Sequence, residues 1–215
     1  FAVGRAQTVT LVLRELMNEG RIPEVPIHID SPMAVNATKL YTKYLNEHHV
    51  DAELLEDGRN RLFPREVHLH TSVEESKALN KMDGPRVIIS SSGMLSGGRI
   101  LHHLKRRLPD RKNLVILVGY QAAGTRGRKL LEGHRSIRIH GDDHPVRAEF
   151  MTVSGLSAHA DRDELLRWVR SGPELPKVAF VVHGEPDSSE ALAEGLADLG
   201  YQRVIVPARG DKFEL

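Results

Sequence analysis

Cysteine is absent from the 215 residues. That excludes disulfides and thiolate metal sites, and it fits a cytoplasmic protein. No apolar run is long enough to span a bilayer, and no secretory signal is visible. Aromatic residues are scarce at 5%, yet 40% of the residues are apolar, enough for a full core in a chain of this size. Strong net charge is missing too: the formal charge is +1, so no global basic field points to nucleic acid. There are no repeats, no low-complexity linkers, and neither a Walker loop nor a dinucleotide fingerprint. An initiating Met is also lacking. The chain opens Phe1-Ala2-Val3-Gly4-Arg5, like a strand end entering a helix, and a longer protein with a portion before Phe1 is expected.

What is present is an alternation of strand and helix patterns. Gly4-Arg5 opens a helix whose apolar positions are Val9, Val12, Leu13 and Leu16, with Gly20 as its stop. Ile27 to Asp30 reads as a strand, and Ser31-Pro32 starts a helix that buries Ala34, Ala37, Leu40, Tyr41, Tyr44 and Leu45. From Asn46 to Asp83 the pattern weakens, with a short extended segment at Glu66 to His70 and a helix from Ser72 to Leu79. Strands follow at Arg86 to Ser90 and Leu114 to Gly119, the second read as buried, and helices at Arg99 to Leu108 and Gly124 to Leu131. Ser136 to His140 and Val146 to Val153 read as paired strands about a turn near Gly141. Asp161-Arg162-Asp163-Glu164 has the form of a capping box, before an apolar face of Leu165, Leu166 and Val169. A strand at Lys177 to Val182, a helix at Ser188 to Leu199 and a strand at Val204 to Val206 complete the chain. This order predicts an α/β fold, a mainly parallel sheet flanked by helices.

Three helix openings carry anion-binding chemistry. The first is Ser90-Ser91-Ser92-Gly93-Met94-Leu95-Ser96-Gly97-Gly98-Arg99, which joins a strand's carboxyl end to a helix. Its glycines let amides approach an anion, its serines donate hydrogen bonds, and the helix adds a positive dipole end. A ligand-free tight turn would look the same. Gly4-Arg5 and Gly124-Thr125-Arg126-Gly127-Arg128 repeat the theme, and three such seats suit an extended polyanion. Between Lys105 and Arg138 ten Lys/Arg face two acids, a phosphate-facing patch or a set of solvated helix faces.

Among the histidines, His159 and His183 stand out, because Ser157-Ala158-His159 and His183-Gly184 leave room for something to approach. His28 reads as a core residue, and His68 and His70 as structural. Glu47-His48-His49 and His102-His103 read as solvated helix faces, and His134, His140 and His144 fall among turns.

These motifs come in an order that resembles the β-CASP nucleases of the metallo-β-lactamase fold, RNA-processing branch. The segments carrying the resemblance are Phe1 to Gln7, Asp30-Ser31-Pro32-Met33-Ala34, Ser91-Ser92-Gly93-Met94 with Gly97-Gly98-Arg99, Gly119-Tyr120-Gln121 with Gly124-Thr125, Ser157 to Asp161, and Val182-His183-Gly184-Glu185. The resemblance implies a β-CASP domain over residues 1–150 and a returning piece of an αββα lactamase-like domain over 151–215. It implies zinc-dependent hydrolysis of single-stranded RNA with two zinc ions, His159 as general acid and His183 as a metal ligand. Arg5, Ser91, Ser92, Gly93, Arg99, Arg128 and Ser157 would seat backbone phosphates in a cleft between the domains. A homodimer is compatible with it, and a membrane role is not.

The departure is that the family's His-x-His-x-Asp-His motif and its further ligands are missing. One histidine does not hold a catalytic zinc, so this chain alone is expected to be inactive and to bind zinc weakly. The competing readings are a non-catalytic RNA-binding member, a DNA nuclease, disfavoured by a histidine at position 183, and a generic nucleotide-binding α/β domain.

Overall fold

A computed structural model describes residues 3–44, 47, 64, 66–157 and 159–214. His48 and His49 and most of the weakly patterned stretch after Asn46 lie outside the described residues. The chain divides into two compact units, residues 1–157 and 158–215. Among the described residues no helix is long and apolar enough to cross a membrane.

The first unit begins with α1 (Arg5–Asn18), β1 (Ile27–Asp30), α2 (Pro32–Lys43), β2 (Val67–Leu69), α3 (Val73–Leu79), β3 (Val87–Ser90) and α4 (Ile100–Arg107). It continues with β4 (Leu114–Val118), α5 (Arg126–Leu131), β5 (Ser136–Ile139), β6 (Asp142–Pro145) and β7 (Glu149–Val153). β1 lies between β2 and β3, parallel to both, and β4 pairs in parallel with β7. The fold is α/β with mainly parallel strands, as expected.

Each position of β1 is buried, because helices cover both sides of its sheet. Ile29 packs with Ala6, Ala34 and Val35 of α1 and α2, and with Val67, Leu69 and Ile89 of the sheet. The alternate residues His28 and Asp30 therefore face the other way, toward α3 and α4. A second core forms around Leu101, Leu104, Leu117, Leu130, Ile137 and Ile139.

Local chemistry sets the boundaries. Gly20, at φ 67, ends α1 in a Schellman arrangement, with Arg21 N donating to Leu16 O and Gly20 N to Met17 O. Ser31 caps α2 ahead of Pro32 at its first position. Ser72 and Glu75 form a capping box on α3.

Several expectations are corrected. α1 buries Ala6, Gln7, Thr10, Arg14 and Met17 instead of the Val9–Val12–Leu16 stripe, and Val12 is exposed. α2 buries its small residues Ala34, Val35, Ala37 and Thr38, while Leu40 and Tyr44 are exposed. The two faces meet through hydrogen bonds: Gln7 Nε2 donates to Ala34 O at 3.2 Å and to Thr38 Oγ1 at 2.8 Å. β4 is buried on one face only, since Leu114 and Ile116 are exposed. Val146 to Val153 does not pair with β5. The partner of β5 is β6, across a turn at His140 and Gly141 whose φ values of 52 and 94 match the right-handed twist of a tight hairpin. That frees β7 to join β4.

The second unit contains α6 (Arg162–Arg170), β8 (Ala179–Phe180), α7 (Pro186–Asp198) and β9 (Val204–Ile205), with β8 and β9 parallel. Asp161 and Glu164 cap α6 reciprocally, with Glu164 N donating to Asp161 Oδ1 at 2.8 Å and Asp161 N to Glu164 Oε2 at 3.0 Å.

Candidate functional site

The carboxyl ends of β1, β3 and β4 bring the sequence motifs of the first unit together. Asp30 lies level with Ser90 in the β1–β3 register. The Ser90–Gly98 loop leaves β3 there. Ser90 Oγ donates to Asp30 O at 2.9 Å, and the Ser31 and Ser91 hydroxyls are 2.9 Å apart. Ser92 Oγ accepts from Ser96 N at 3.2 Å. The peptide between Ser91 and Ser92 is cis.

The loop's carbonyls are held from behind. Gln121 Nε2 donates to Gly93 O at 3.0 Å and Gly119 O at 3.1 Å. Gly127 N reaches Met94 O at 3.2 Å, and Arg126 Nη1 reaches Leu95 O and Ser96 O, each at 3.2 Å. Gln121 itself fills the space that a side chain on Gly127 would take. Arg5 sits at the β4 end, its Nη1 donating to Val118 O at 3.1 Å and its guanidinium flush against Gly119. Satisfied from behind, the loop holds Ser91 and Ser92 half-buried at the strand ends, their hydroxyls bonded to Ser31 and Ser96.

Beneath the loop is a group that the sequence reading passed over. Asp30 is fully buried, and its carboxylate accepts from Arg99 Nη1 at 2.8 Å, Ser76 Oγ at 2.6 Å and His103 Nε2 at 2.7 Å. Burial pushes this carboxyl up. Hydrogen bonds from His103, Ser76 and Arg99 outweigh that and hold it at about 2. His103 is buried and also bonded to Asn80 Oδ1 at 2.9 Å through Nδ1, which corrects its reading as a solvated residue. Arg99, expected at a phosphate, also donates to His70 O at 3.2 Å and Thr71 O at 2.6 Å, and its side chain is 19% exposed. The signals in the sequence are separate ones, an acid closing a strand and Arg99 and His103 one turn apart, with nothing local to join them.

His28 bonds His70 at 2.9 Å and stacks on His68 at 4.9 Å between ring centroids. It is the core residue expected.

Of the remaining candidates, Arg128 Nε pairs with Oε1 of Glu132, the residue that ends α5, at 2.9 Å. Ser157 N donates to Ser154 O at 3.3 Å in the turn after β7. His159 is exposed, two residues before the α6 cap. His183 is exposed after β8, with left-handed backbone at φ 60 that a non-glycine residue seldom adopts. Gly184 follows it, and a Cβ there would lie 2.6 Å from Ser189 Oγ. Among the described residues no three or more His, Cys, Asp or Glu side chains gather as a metal site. The donors present therefore do not fit a catalytic zinc by themselves.

Gly98→Ala should disturb the loop most directly. Gly98 has φ 83, and a Cβ would lie 2.8 Å from Ser91 O, a backbone atom with little freedom to yield. A loss of about 2 kcal/mol is expected, to be read from urea unfolding of the two proteins. An unchanged midpoint would show that the loop relaxes freely.

Comparison with known proteins adds a second line. The Beta-Casp domain model matches residues 6–130, and the model of the Zn-dependent metallo-hydrolase RNA specificity domain matches residues 143–207. The chain is 41% identical over 205 residues to "Ribonuclease TTHA0252" of Thermus thermophilus, covering 94% of this chain and 46% of that protein. It is 36% identical over 211 residues to "RNase J-like protein" of Methanocaldococcus jannaschii, covering 98% and 48%. Against "Transcription termination factor FttA" of Pyrococcus horikoshii the figures are 37% over 203 residues, 91% and 31%. The chain thus spans a third to a half of the length of these relatives.

Proposed function

The chain belongs to the Beta-Casp family, and on that premise we propose that the intact protein is a metal-dependent RNA nuclease for which this chain supplies the RNA clamp. The observation that carries the reading is the Ser90–Gly98 loop, fixed from behind at the strand ends, with Ser91 and Ser92 half-buried at its turn. The named relatives support hydrolysis of RNA, two of them by the word ribonuclease or RNase in their names.

In this reading residues 1–150 are the β-CASP part and 151–215 a lactamase-like segment. Ser91, Ser92 and the Gly93 backbone seat one phosphate of single-stranded RNA, with Arg5, Arg128 and Ser157 contributing to its neighbours. Arg99 acts through Asp30 by holding the loop, and so is a positioning residue. His159, exposed and preceded by small residues, is the proton donor to the leaving oxygen. Two zinc ions belong to the intact protein, where His183 is one ligand; the donors described here do not complete a site, and no step is derived through it. That same donor shortage favours a second reading for the chain in isolation, a binding piece without catalysis.

Binding and cleavage separate the two. The 215-residue chain should bind labelled single-stranded RNA with a salt-dependent affinity, and Ser91→Ala/Ser92→Ala should weaken it about tenfold. It should leave the RNA uncut when zinc is added. RNA cleavage that survives His183→Ala would remove the role given to His183. Absence of RNA binding would remove the clamp.

A further inference from the structure

The second unit carries a groove that none of these roles uses. We propose that the cleft between α6 and α7 is a separate RNA seat, taking one backbone phosphate with its ribose; it rests on the reading of RNA as the ligand. The groove is a half-open depression of about 330 Å³, and its charged lining is Arg162, Arg167, Arg170, Asp163 and Asp198. That volume is at the small end of ligand cavities and suits a single nucleotide of an extended strand.

The arginines are arranged for an anion. Arg162, Leu166 and Arg170 recur every fourth residue and share one side of α6. Arg162 is pinned: its Nε donates to Ala191 O of α7 at 3.1 Å. Its guanidinium lies against Gly195, where a Cβ would be 2.8 Å from Nη2 and 2.9 Å from Leu166 Cδ1. A bare glycine on α7 is thus what lets the guanidinium lie in the groove. A cation held this way loses little freedom on binding, and its planar fork matches phosphate oxygens. Its contact with Asp163, 3.6 Å, and that of Arg167 with Glu164, 4.0 Å, are loose exposed pairs that a phosphate can displace.

The carboxylates select the rest of the ligand. Three arginines against two aspartates leave a net positive groove, and Asp163 and Asp198 add hydrogen-bond acceptors beside the cations. A ligand that places hydrogen-bond donors beside its phosphate satisfies both signs. A ribonucleotide does so through its 2′-hydroxyl.

The test is fluorescence anisotropy with a labelled single-stranded RNA and the matching DNA, each over a range of salt. Arg167→Ala/Arg170→Ala should lower RNA affinity about tenfold and flatten the log–log salt slope by about 0.7, the share of one phosphate on a single strand. Gly195→Ala should weaken RNA binding about threefold while keeping a cooperative melt, since the atoms its Cβ would meet are the ends of two side chains and alanine is the better helix former. That variant separates the site from the fold. RNA binding by both variants with unchanged affinity and slope overturns the groove and leaves the loop clamp standing. No RNA binding by the unaltered chain overturns both. An equal loss for RNA and DNA overturns the ribose contact.

Discussion

Asp30→Ala is expected to destabilise the first unit by about 3–5 kcal/mol, the largest effect of any single substitution considered. Asp30 is fully buried, and three donors converge on it from Ser76 on α3, from His103 on α4, and from Arg99 just before α4. Removing the carboxylate leaves the Arg99 guanidinium, with a side chain only 19% exposed, without its counter-charge. It also leaves a buried hydroxyl and a buried imidazole nitrogen without that partner. Asp30→Asn keeps the volume and one carbonyl acceptor, so it should cost less than the alanine. The pH dependence follows from the same contacts. The folded carboxyl, at about 2, lies below its ordinary 3.8, so it adds roughly 2 kcal/mol of stability above that ordinary value, lost as pH falls through 2. Amide exchange of the β1 and β3 strands measures this directly. Tryptophan emission would not, because Trp168, the sole tryptophan, is in the second unit and 73% exposed. Protection of those amides left intact in Asp30→Ala would show that the hub is dispensable.

A second acid transition should appear earlier. His28 is buried in β1, and burial, followed by His70, His68 and Arg86, pushes its imidazole down to about 4. All four influences oppose protonation. The unfolded chain takes up its proton near 6.5, whereas the folded chain waits until about 4. Between those values the unfolded state binds more protons, so stability falls as pH falls. The full loss is about 3 kcal/mol, complete near pH 4 and flat below it for this group. His70, also lowered chiefly by burial, acts in the same direction. Urea midpoints followed by circular dichroism from pH 7 to 4 should show the decline, and His28→Gln should flatten it. An undiminished slope in that variant would assign the acid sensitivity elsewhere. The His28 effect falls mainly above pH 4 and the Asp30 effect mainly below it.

Much of the architecture was legible in the chain. Gly20, Ser31-Pro32, Ser72 and the Asp161–Glu164 box each act within one helical turn, so their residue types suffice to mark where helices begin and end. The β-α alternation predicted parallel pairing, because a strand followed by a helix returns in the same direction. The ordered motifs predicted the family.

What the chain alone did not determine was which neighbours each face would meet. The polar face of α1 is buried because α2 offers a carbonyl and a hydroxyl to Gln7, and periodicity of apolar residues cannot register a hydrogen-bonded interface. The β5–β6 hairpin hid in Asp142-Asp143-His144-Pro145, residues of poor strand propensity that a tight turn nevertheless pairs. In the candidate site, Ser91 and its glycines could be picked out by type. Asp30, Ser76, Arg99 and His103 could not be joined, since up to 73 residues separate partners that meet within 2.8 Å. Sequence determined the local stops, the order of elements and the loop serines. Only tertiary packing decided that a buried carboxylate would hold them, because a charge leaves water only where partners from distant segments converge on it.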